Sequence, residues 1–348
     1  MLEDLFLGND LHKDTIVLYG ETAQGEILVR ETLPTRCKNQ IRDFFAELST
    51  RYRVVAAVES VGFYQWFWDL VRPLVAELHL ADASQVRAAA GRLAKTDMND
   101  AATLARLLRQ KSLPTAFVPD PELRELRALI RHRERLRRRA TSTKNSMRME
   151  MNKLGLPGPR DLETGTFHKW FTGQYEKIGL VARLAFSQLA DHLAILERQI
   201  LALDDELERK IEATERFRVP IMRIKDLPGF GLLTAAVTYA ETGGLDRFDE
   251  AGEIVCYTGF APRTFQSADT CRHGRISKAG PPIIRKCLIN AAWTAVRSHP
   301  LVRRRFERWC KTRGKKKSIV KLAAHMLVWA WALEKKKTAF DPARLAFN

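Results

Sequence analysis

The sequence lacks the features that mark secreted, membrane-spanning and zinc-binding proteins. Its five cysteines are scattered and odd in number, and no two of them form a CxxC pair. This excludes a zinc framework of paired cysteines and favours reduced thiols in the cytoplasm. The start, MLEDLFLGND, has no basic residue, so we expect no signal peptide. The apolar run Leu322–Leu333 contains His325 and, at 12 residues, is too short to span a membrane.

Acidic residues are also scarce relative to basic ones. The 348 residues include 58 Lys and Arg against 41 Asp and Glu, which gives a net charge of +17. Such an excess favours a nucleic-acid partner, because each phosphate that the protein neutralises releases condensed counterions. A membrane surface or a ribosome would also attract a protein of this charge. The length is sufficient for two or three domains.

The first 118 residues have the pattern of an α/β domain. Five segments follow one another in the order strand, strand, strand, helix and strand: residues 5–10, 15–19, 26–31, 38–50 and 54–58. Because a ribonuclease H-like fold opens in this order, we expect that fold over residues 1–118. A stretch rich in Ala and Leu, from Ser84 to Gln110, has helical spacing.

Two long helical segments lie in the middle of the chain. The first, Glu122–Lys153, ends at the breaker GLPGP. The second carries apolar residues in steps of three and four: Leu193, Leu196, Ile200, Leu203 and Leu207. This a/d seam fits two antiparallel helices of one chain or a dimeric coiled coil. We therefore expect a helical coiled-coil region over residues 119–215 and a mostly helical C-terminal domain over residues 216–348.

The C-terminal region contains a turn of a kind that often holds phosphate. The segment LPGFG, residues 227–231, precedes a helical run and is typical of a helix–hairpin–helix turn. Gly229 and Gly231 admit the tight turn and the close approach of a phosphate to the backbone. Similar PGxG turns occur in proteins that bind no DNA, so this turn is supporting rather than decisive.

Four acids stand at predicted strand ends or at a predicted helix start: Asp10, Glu59, Asp97 and Asp100. The last two are three residues apart, which places them on one face of a helix. Four converging carboxylates repel one another unless a cation lies between them, and one or two Mg²⁺ ions would turn them into a phosphoryl-transfer site. Taken singly, each is more commonly a solvated acid, and Asp97 is also suited to be an N-cap. Asp4 and Asp14 compete for the first position.

The order of these acids resembles the DEDD signature of insertion-sequence transposases, a family that includes pilin-gene invertases. The match consists of Asp10, Glu59 and the segment KTDMNDA at residues 95–101. The resemblance implies a RuvC-like first domain in which the four acids bind Mg²⁺. The sequence departs from the family at Asn9, where an aliphatic residue is usual, and at Ser60, where Ala or Thr is commoner. Neither is a ligand position.

A second segment resembles the C-terminal transposase domain of the same family. It reads YTGFAPRTFQS over residues 257–267 and RHGRISKAG over residues 272–280. The resemblance implies that Ser267 is the nucleophile that joins covalently to DNA. Ala268 stands where the family usually has Gly. By itself, a serine in a basic loop is more commonly a turn former or a hydrogen-bond partner of phosphate, and Ser277 is the neighbouring alternative.

A serine hydroxyl is a weak nucleophile at neutral pH and needs a base, a metal or cations around the phosphate. The second segment offers four predicted phosphate clamps: Arg263, Arg272, Arg275 and Lys278.

Basic residues are concentrated in two helical segments. Residues 121–160 carry a net charge of +8 and residues 297–337 a net charge of +12, so the rest of the chain is slightly acidic. We expect these segments to bind nucleic acid, with Arg313 and Lys315 in the densest run. The family resemblance also implies a structured non-coding guide RNA, the bridge RNA, that pairs with donor and target DNA. Composition alone does not separate RNA from DNA.

The sequence is therefore interpreted as a transposase or site-specific recombinase that cuts and rejoins insertion-element DNA. The family resemblance implies a dimer or a tetramer, in which the acids of one subunit serve the serine of another. One alternative is a RuvC-like, metal-dependent junction nuclease in which Ser267 has no covalent role. Another is a non-catalytic nucleic-acid-binding protein with a decayed site.

Overall fold

Strands and helices alternate up to residue 118, and beyond it the chain is almost entirely helical. The computed structural model describes residues 2–89, 96–267 and 270–341, without the side chains of residues 89, 264–267 and 270–273. The chain divides into two units, Met1–Val118 and Pro119–Asn348. The finer division of the second unit after residue 215 stays a prediction.

The first unit contains a five-stranded sheet and, among the described residues, four helices. In chain order its elements are β1 (Glu3–Leu11), β2 (Thr15–Thr22), β3 (Ile27–Pro34), α1 (Lys38–Arg51), β4 (Tyr52–Glu59), α2 (Gln65–Val71), β5 (Glu77–Ala81), α3 (Ala83–Ala89) and α4 (Asp97–Arg109). Where one helical stretch was predicted from Ser84 to Gln110, the structure has α3 and α4, and residues 90–95 lie outside the described part.

The sheet has the strand order β3-β2-β1-β4-β5, with β1 at its centre. The pairs β1–β2 and β2–β3 are antiparallel, whereas β1–β4 and β4–β5 are parallel. A meander of three antiparallel strands continued by parallel strands through helical crossovers is the ribonuclease H-like arrangement. The prediction of this fold from residues 1–118 is confirmed. The strand β5 and the helix α2 were not predicted.

The two faces of the sheet are separated by the alternation of side chains along its central strands. Leu5, Leu7 and Leu11 of β1 lie in a buried cluster with Phe45 of α1 and Phe67 of α2. The alternate positions of β1 face α4, which packs on the opposite side of the sheet. Asp10 lies on this second face because it is two residues from Gly8, which contacts α4.

Asn9 is a polar residue in the buried cluster on the α1–α2 side. Its side chain is 0% exposed, and its Nδ2 donates to the carbonyl oxygens of Ala57 (2.7 Å) and Leu7 (3.3 Å). Its Oδ1 is buried without a hydrogen-bond partner among the described residues. A buried polar atom without a partner costs about 1–3 kcal/mol.

We expect Asn9→Val to stabilise the protein by about 1 kcal/mol, or roughly 3 °C in Tm. Valine has no side-chain oxygen that would need a hydrogen-bond partner, and its branched side chain is favoured in strands. It is also shorter than asparagine, so it fits the space that the amide occupies. Thermal unfolding followed by circular dichroism measures the change. A lower Tm would mean that the two amide donations outweigh the cost of the buried oxygen.

The second unit consists of nine helices and one β-hairpin among its described residues, with a 3-10 turn at Tyr175–Lys177. In chain order these are α5 (Pro121–Lys153), α6 (Thr164–Gln174), α7 (Leu180–Ala213), α8 (Glu215–Lys225), α9 (Leu232–Thr242), α10 (Ala251–Tyr257), β6 (Pro262–Ser267), β7 (Thr270–Ile276), α11 (Pro282–Ser298), α12 (Pro300–Arg313) and α13 (Lys315–Lys336). Across the described ranges, no helix is long and apolar enough to cross a membrane.

The long helices α5 and α7 pack against each other in antiparallel orientation. Three ion pairs join them, and the residue number falls along α7 as it rises along α5: Glu125–Lys210, Arg133–Asp204 and Lys144–Glu197. The predicted a/d seam of α7 lies at this interface, where Leu193 and Leu196 are buried against Leu136 and Ala140 of α5. The seam is therefore used within one chain.

Some arginines of the basic segment in α5 make contacts with other parts of the second unit. Arg131 makes a bidentate contact with the fully buried Glu241 of α9 at 2.8 and 2.7 Å, and Arg127 donates to the carbonyl oxygens of Ala240 and Glu241. These residues fix α5 to α9. Arg127 is buried in this contact, whereas Arg131, Arg137 and Arg139 are exposed, and the binding of nucleic acid by this segment stays a prediction.

Candidate functional site

The carboxyl ends of β1 and β4 bring Asp10 and Glu59 to one edge of the sheet. The two strands are parallel neighbours in which Asn9 pairs with Val58, so each acid follows directly after a paired residue. Both acids lie on the face of the sheet that α4 covers. Along each strand, their positions alternate with those of the apolar residues whose side chains point to the opposite face. Asp10 is 6% exposed and Glu59 is half-buried.

The other two acids are delivered by the first turn of α4. Thr96 is the N-cap, and its hydroxyl oxygen accepts a hydrogen bond from the backbone N–H of Asn99 at 3.2 Å. The helix then begins at Asp97, so the alternative role of Asp97 as the N-cap is wrong. Asp97 and Asp100 stand in the first turn, where the helix dipole favours negative charge.

Gly8 lets α4 approach the centre of the sheet. A Cβ at this position would lie 1.9 Å from the carbonyl oxygen of Ala101 and 2.8 Å from the backbone nitrogen of Ala105. Both atoms belong to the backbone of α4, so no side-chain rotation relieves the contact. The absence of a side chain at Gly8 therefore sets the distance between the acids on α4 and those on the strands.

We expect Gly8→Ala to destabilise the first unit by about 1–3 kcal/mol and to reduce metal-dependent DNA cleavage as well. The added methyl group forces α4 outward, and Asp97 and Asp100 move with it. Gly62→Ala is the matched control, because a Cβ at Gly62 meets no atom within 4 Å. Thermal unfolding and a cleavage assay measure the two effects, and an unchanged Tm in Gly8→Ala would contradict the expected clash.

The four acids influence one another electrostatically. Burial raises the pKa of Asp10, and the charges of Asp100 and Asp97 raise it further, against a lowering by His12. Burial also raises the pKa of Glu59, with further raising by Asp10 and Asp100 against a lowering by Arg87 and His12. A carboxylate that raises the pKa of a neighbouring acid disfavours the ionisation of that acid, and a cation placed among them relieves this cost.

His12 also stands among these acids, and it was not predicted as a residue of the site. Its Nε2 lies 2.9 Å from Oδ2 of Asp10 and 3.4 Å from Oδ1 of Asp97. Within the described part of the chain, Asp10, His12 and Asp97 are the only group of at least three potential ligands whose atoms all lie within 4.8 Å of one another. Glu59 and Asp100 are outside this close group. The signal in the sequence was the i, i+2 spacing of Asp10 and His12, which places both on one side of the strand.

The donors in this site are suited to a divalent cation. Carboxylate oxygens are the preferred ligands of Mg²⁺, and an imidazole nitrogen adds a donor that transition ions accept. Burial and neighbouring carboxylates raise the pKa values of Asp10 and Glu59, and a bound cation would offset the cost of ionising them there. The structure brings the four predicted acids to one end of the sheet, and their role as metal ligands stays a prediction.

The segment of the predicted nucleophile is a β-hairpin, whereas the sequence had indicated a loop. Ser267 is the last residue of β6 and pairs with Thr270 of β7. The side chains of Ser267 and Arg272 and all of Ala268 lie outside the described residues. Arg263 and Arg275 are exposed on the hairpin strands, and Lys278 is exposed after β7.

The base of this hairpin is held by two glycines and an arginine. A Cβ at Gly259 would lie 2.2 Å from the carbonyl oxygen of Ala279, and a Cβ at Gly280 would lie 2.1 Å from that of Tyr257. Nη1 of Arg285, on α11, donates to the carbonyl oxygens of Thr258 (2.9 Å), Ala279 (2.6 Å) and Gly280 (3.2 Å). Sequence reasoning missed Arg285, because its three partners are backbone atoms that no motif reveals.

The predicted phosphate-binding turn connects α8 to α9. A Cβ at Gly229 would lie 2.1 Å from the carbonyl oxygen of Ala291 on α11, so this glycine is required for helix packing. Gly231 has no such neighbour within 4 Å. The exposed cations Arg313 and Lys315 flank Gly314, where α12 ends and α13 begins.

Comparison with known protein families gives two matches. A family model for DEDD transposases of the IS110 type, described as "Transposase", matches residues 7–154. A second model, described as "Transposase IS116/IS110/IS902 family", matches residues 222–307. The first match contains all four predicted acids, and the second contains Ser267 and the segment around it.

Individual relatives agree with these matches over nearly the whole chain. A Pseudomonas aeruginosa protein named "Probable family 20 transposase" is 26% identical over 343 residues, which is 97% of this chain and 98% of the relative. The transposase for insertion sequence element IS1111A of Coxiella burnetii is 25% identical over 337 residues, 94% of this chain and 88% of the relative. The chain therefore belongs to the IS110 family of DEDD transposases and is a DNA transposase.

Proposed function

We propose that this transposase cuts and rejoins the DNA of an insertion element with two sets of residues. Asp10, Glu59, Asp97 and Asp100 hold Mg²⁺, and Ser267 is the nucleophile. The observation that carries the first part is the convergence of β1, β4 and the first turn of α4, which places the acids within electrostatic reach of one another. The second part rests on the matched C-terminal family segment.

The reaction is a pair of phosphoryl transfers. When bound, Mg²⁺ neutralises charge on the scissile phosphate and stabilises the attacking and leaving oxygens. The Oγ of Ser267 loses its proton and forms a bond to phosphorus, while the bond from phosphorus to a deoxyribose oxygen breaks and releases a hydroxyl-terminated strand. A hydroxyl of another strand then attacks the serine-linked phosphate and frees Ser267. One phosphodiester bond is kept throughout, so no external energy source is required.

Cations around the hairpin would hold the phosphate during both steps. Arg263, Arg272, Arg275 and Lys278 are the proposed clamps. The support is that Arg263, Arg275 and Lys278 are exposed and lie on or just after the strands that carry Ser267. A guanidinium contacts two phosphate oxygens at once and stays charged at all physiological pH values.

We assign the binding of donor DNA, target DNA and a structured guide RNA to exposed basic surfaces of the second unit. These include Arg137 and Arg139 of α5 and the run around Gly314 with Arg313 and Lys315. The backbone around Gly229 and Gly231 would hold a phosphate in the manner of a helix–hairpin–helix turn. Because no base-reading motif is evident, the RNA rather than the protein would read sequence.

A homo-oligomer, dimer or tetramer, is also part of the proposal. The first two turns of α7 expose Leu180 (71%), Val181 (80%) and Leu184 (55%), which together form an apolar patch on the surface of this helix. A coiled coil formed by the α7 helices of two subunits would cover this apolar surface. The acids of one subunit would then act with the serine of another.

A cytoplasmic location is also part of the proposal. It is supported by action on cellular DNA and by the free thiols of Cys37, Cys256, Cys287 and Cys310.

One experiment tests the function directly. The full-length protein is incubated with the ends of its element, target DNA, the flanking transcript and Mg²⁺, and the products are separated under denaturing conditions. We expect cut and rejoined strands and a covalent adduct that peptide mapping places at Ser267. Mg²⁺-dependent cleavage without an adduct would instead support a junction nuclease. Binding without cleavage in Mg²⁺ or Mn²⁺ would support a non-catalytic protein.

A further inference from the structure

His12 is placed to do more than accompany Asp10. It follows the last residue of β1, and its backbone N–H donates to the carbonyl oxygen of Thr15 at 2.9 Å, which closes the turn into β2. That turn holds the imidazole over the carboxyl end of the central strand. Its Nε2 is the atom that faces both Asp10, at 2.9 Å, and Asp97, at 3.4 Å.

A hydrogen bond accounts for only part of this arrangement. Nε2 of a neutral imidazole has at most one hydrogen to donate, yet it faces a carboxylate oxygen on each of two residues. Asp10 is almost fully buried, whereas the side chain of His12 is 44% exposed, so a cation from solvent can reach the imidazole. Three atoms that can serve as metal ligands are thus gathered around one point, and Nε2 presents its lone pair in the tautomer that carries the proton on Nδ1.

The spacing of these atoms matches that of ligands on one cation. Ligands about 2.1 Å from a metal are about 3.0 Å apart at octahedral angles and about 3.4 Å apart at tetrahedral angles. The distances from Nε2 to the two carboxylate oxygens, 2.9 and 3.4 Å, cover nearly the same range as these two values, so one cation can contact all three atoms. Imidazole nitrogen is a good ligand for first-row transition ions, whereas Mg²⁺ prefers oxygen.

We propose that His12 is a ligand of the metal site and makes it select a first-row transition ion such as Mn²⁺ over Mg²⁺. This inference rests on the metal site of the proposed function. His12 supplies the nitrogen, and Asp10 and Asp97 supply oxygens from β1 and α4. The nitrogen sets the preference among cations, and the carboxylates set overall affinity.

The test uses full-length protein freed of metal, to which Mn²⁺ is added. Pulsed electron paramagnetic resonance detects the ¹⁴N of an imidazole bound to Mn²⁺, and titration gives the affinities for Mn²⁺ and, by competition, for Mg²⁺. The variants are His12→Gln, Asp10→Asn and Asp97→Asn. His79→Gln is the matched control, because His79 is the other histidine of the first unit and also contacts a carboxylate, that of Glu77 at 3.1 Å.

We expect the ¹⁴N signal in the unaltered protein and in His79→Gln, and its loss in His12→Gln. His12→Gln should weaken Mn²⁺ binding by at least about tenfold, since even an outer-shell partner of a ligand is worth that much, and should change Mg²⁺ binding far less. Circular dichroism checks that each variant is folded.

Two results would overturn the inference, and they are distinguishable. If Asp10→Asn abolishes Mn²⁺ binding while the ¹⁴N signal is absent from the unaltered protein or persists in His12→Gln, the metal site stands and His12 is not its ligand. If Mn²⁺ binding is unchanged in both Asp10→Asn and Asp97→Asn, the proposed metal site falls and the inference falls with it.

Discussion

Asp10→Asn is expected to lower the rate of metal-dependent strand cleavage by about a thousandfold or more. Asp10 is the most buried of the four acids and lies closer to His12 than Asp97 does, at 2.9 against 3.4 Å, so it stands at the centre of the site. An amide at this position removes a negative ligand, and the several kcal/mol that a metal contributes to the transition state correspond to a factor of this size. A cleavage assay at saturating DNA measures the rate.

The stability of the same variant separates a lost ligand from a damaged fold. The pKa of Asp10 is raised in the folded protein, so its stabilising contribution is present at low pH and is lost as the pH rises through its ordinary and then its folded value. At neutral pH the ionised carboxyl therefore opposes folding when no metal is bound. We expect the metal-free Asp10→Asn protein to have a Tm no lower than that of the unaltered protein, and a divalent metal to raise the Tm of the unaltered protein only.

Asp14→Asn is the matched control for this change. Asp14 lies in the same turn between β1 and β2 and is exposed, and it was one of the alternatives for the first acidic position. We expect its amide to leave cleavage nearly unchanged. If instead Asp14→Asn were inactive and Asp10→Asn active, the first acid of the site would have been misplaced and the proposed ligand set with it.

The first unit was accessible to prediction because its strands are short, apolar and separated by polar turns. The order of three strands, a helix and a strand was enough for a ribonuclease H-like fold, since few topologies begin in this way. β5 was missed because Glu77 and His79 interrupt its apolar pattern. The close packing of α4 on Gly8 could not be predicted from the sequence either, because a glycine within a strand can also mark a bulge, a bend or a bound ligand.

In the site, features that depend on neighbouring residues could be predicted, whereas contacts between residues far apart in the sequence could not. The placement of Asp97 and Asp100 at a helix start follows from the sequence around Thr96. The contact of His12 with Asp97 joins residues that are 85 positions apart, and only the packing of α4 on β1 creates it. The role of Arg285 could not be predicted for a related reason. Its partners are backbone carbonyl oxygens, which every residue possesses, so no sequence motif marks them.

The role of Ser267 can be tested by the presence or absence of a covalent protein–DNA adduct. Ser267→Ala is expected to abolish the covalent protein–DNA adduct and to reduce strand joining by about a thousandfold or more, as removal of a nucleophile does in other covalent enzymes. Metal binding should be unchanged, because the four acids belong to the other unit of the chain. Denaturing gels of labelled DNA measure adduct and joined product from the same reaction.

Ser277→Ala is the control that the chain itself offers. Ser277 lies just after β7 in the same basic segment, but its Oγ accepts a hydrogen bond from the backbone N–H of Ala279 at 3.4 Å, and its own N–H donates to the carbonyl oxygen of Ala261. A hydroxyl engaged with its own turn is a structural group, so its removal should leave the adduct in place. An adduct that persists in Ser267→Ala and disappears in Ser277→Ala would move the nucleophile to Ser277. If cleavage survives in Ser267→Ala and neither serine forms an adduct, only the acids are catalytic, and the enzyme cuts DNA by metal-assisted hydrolysis.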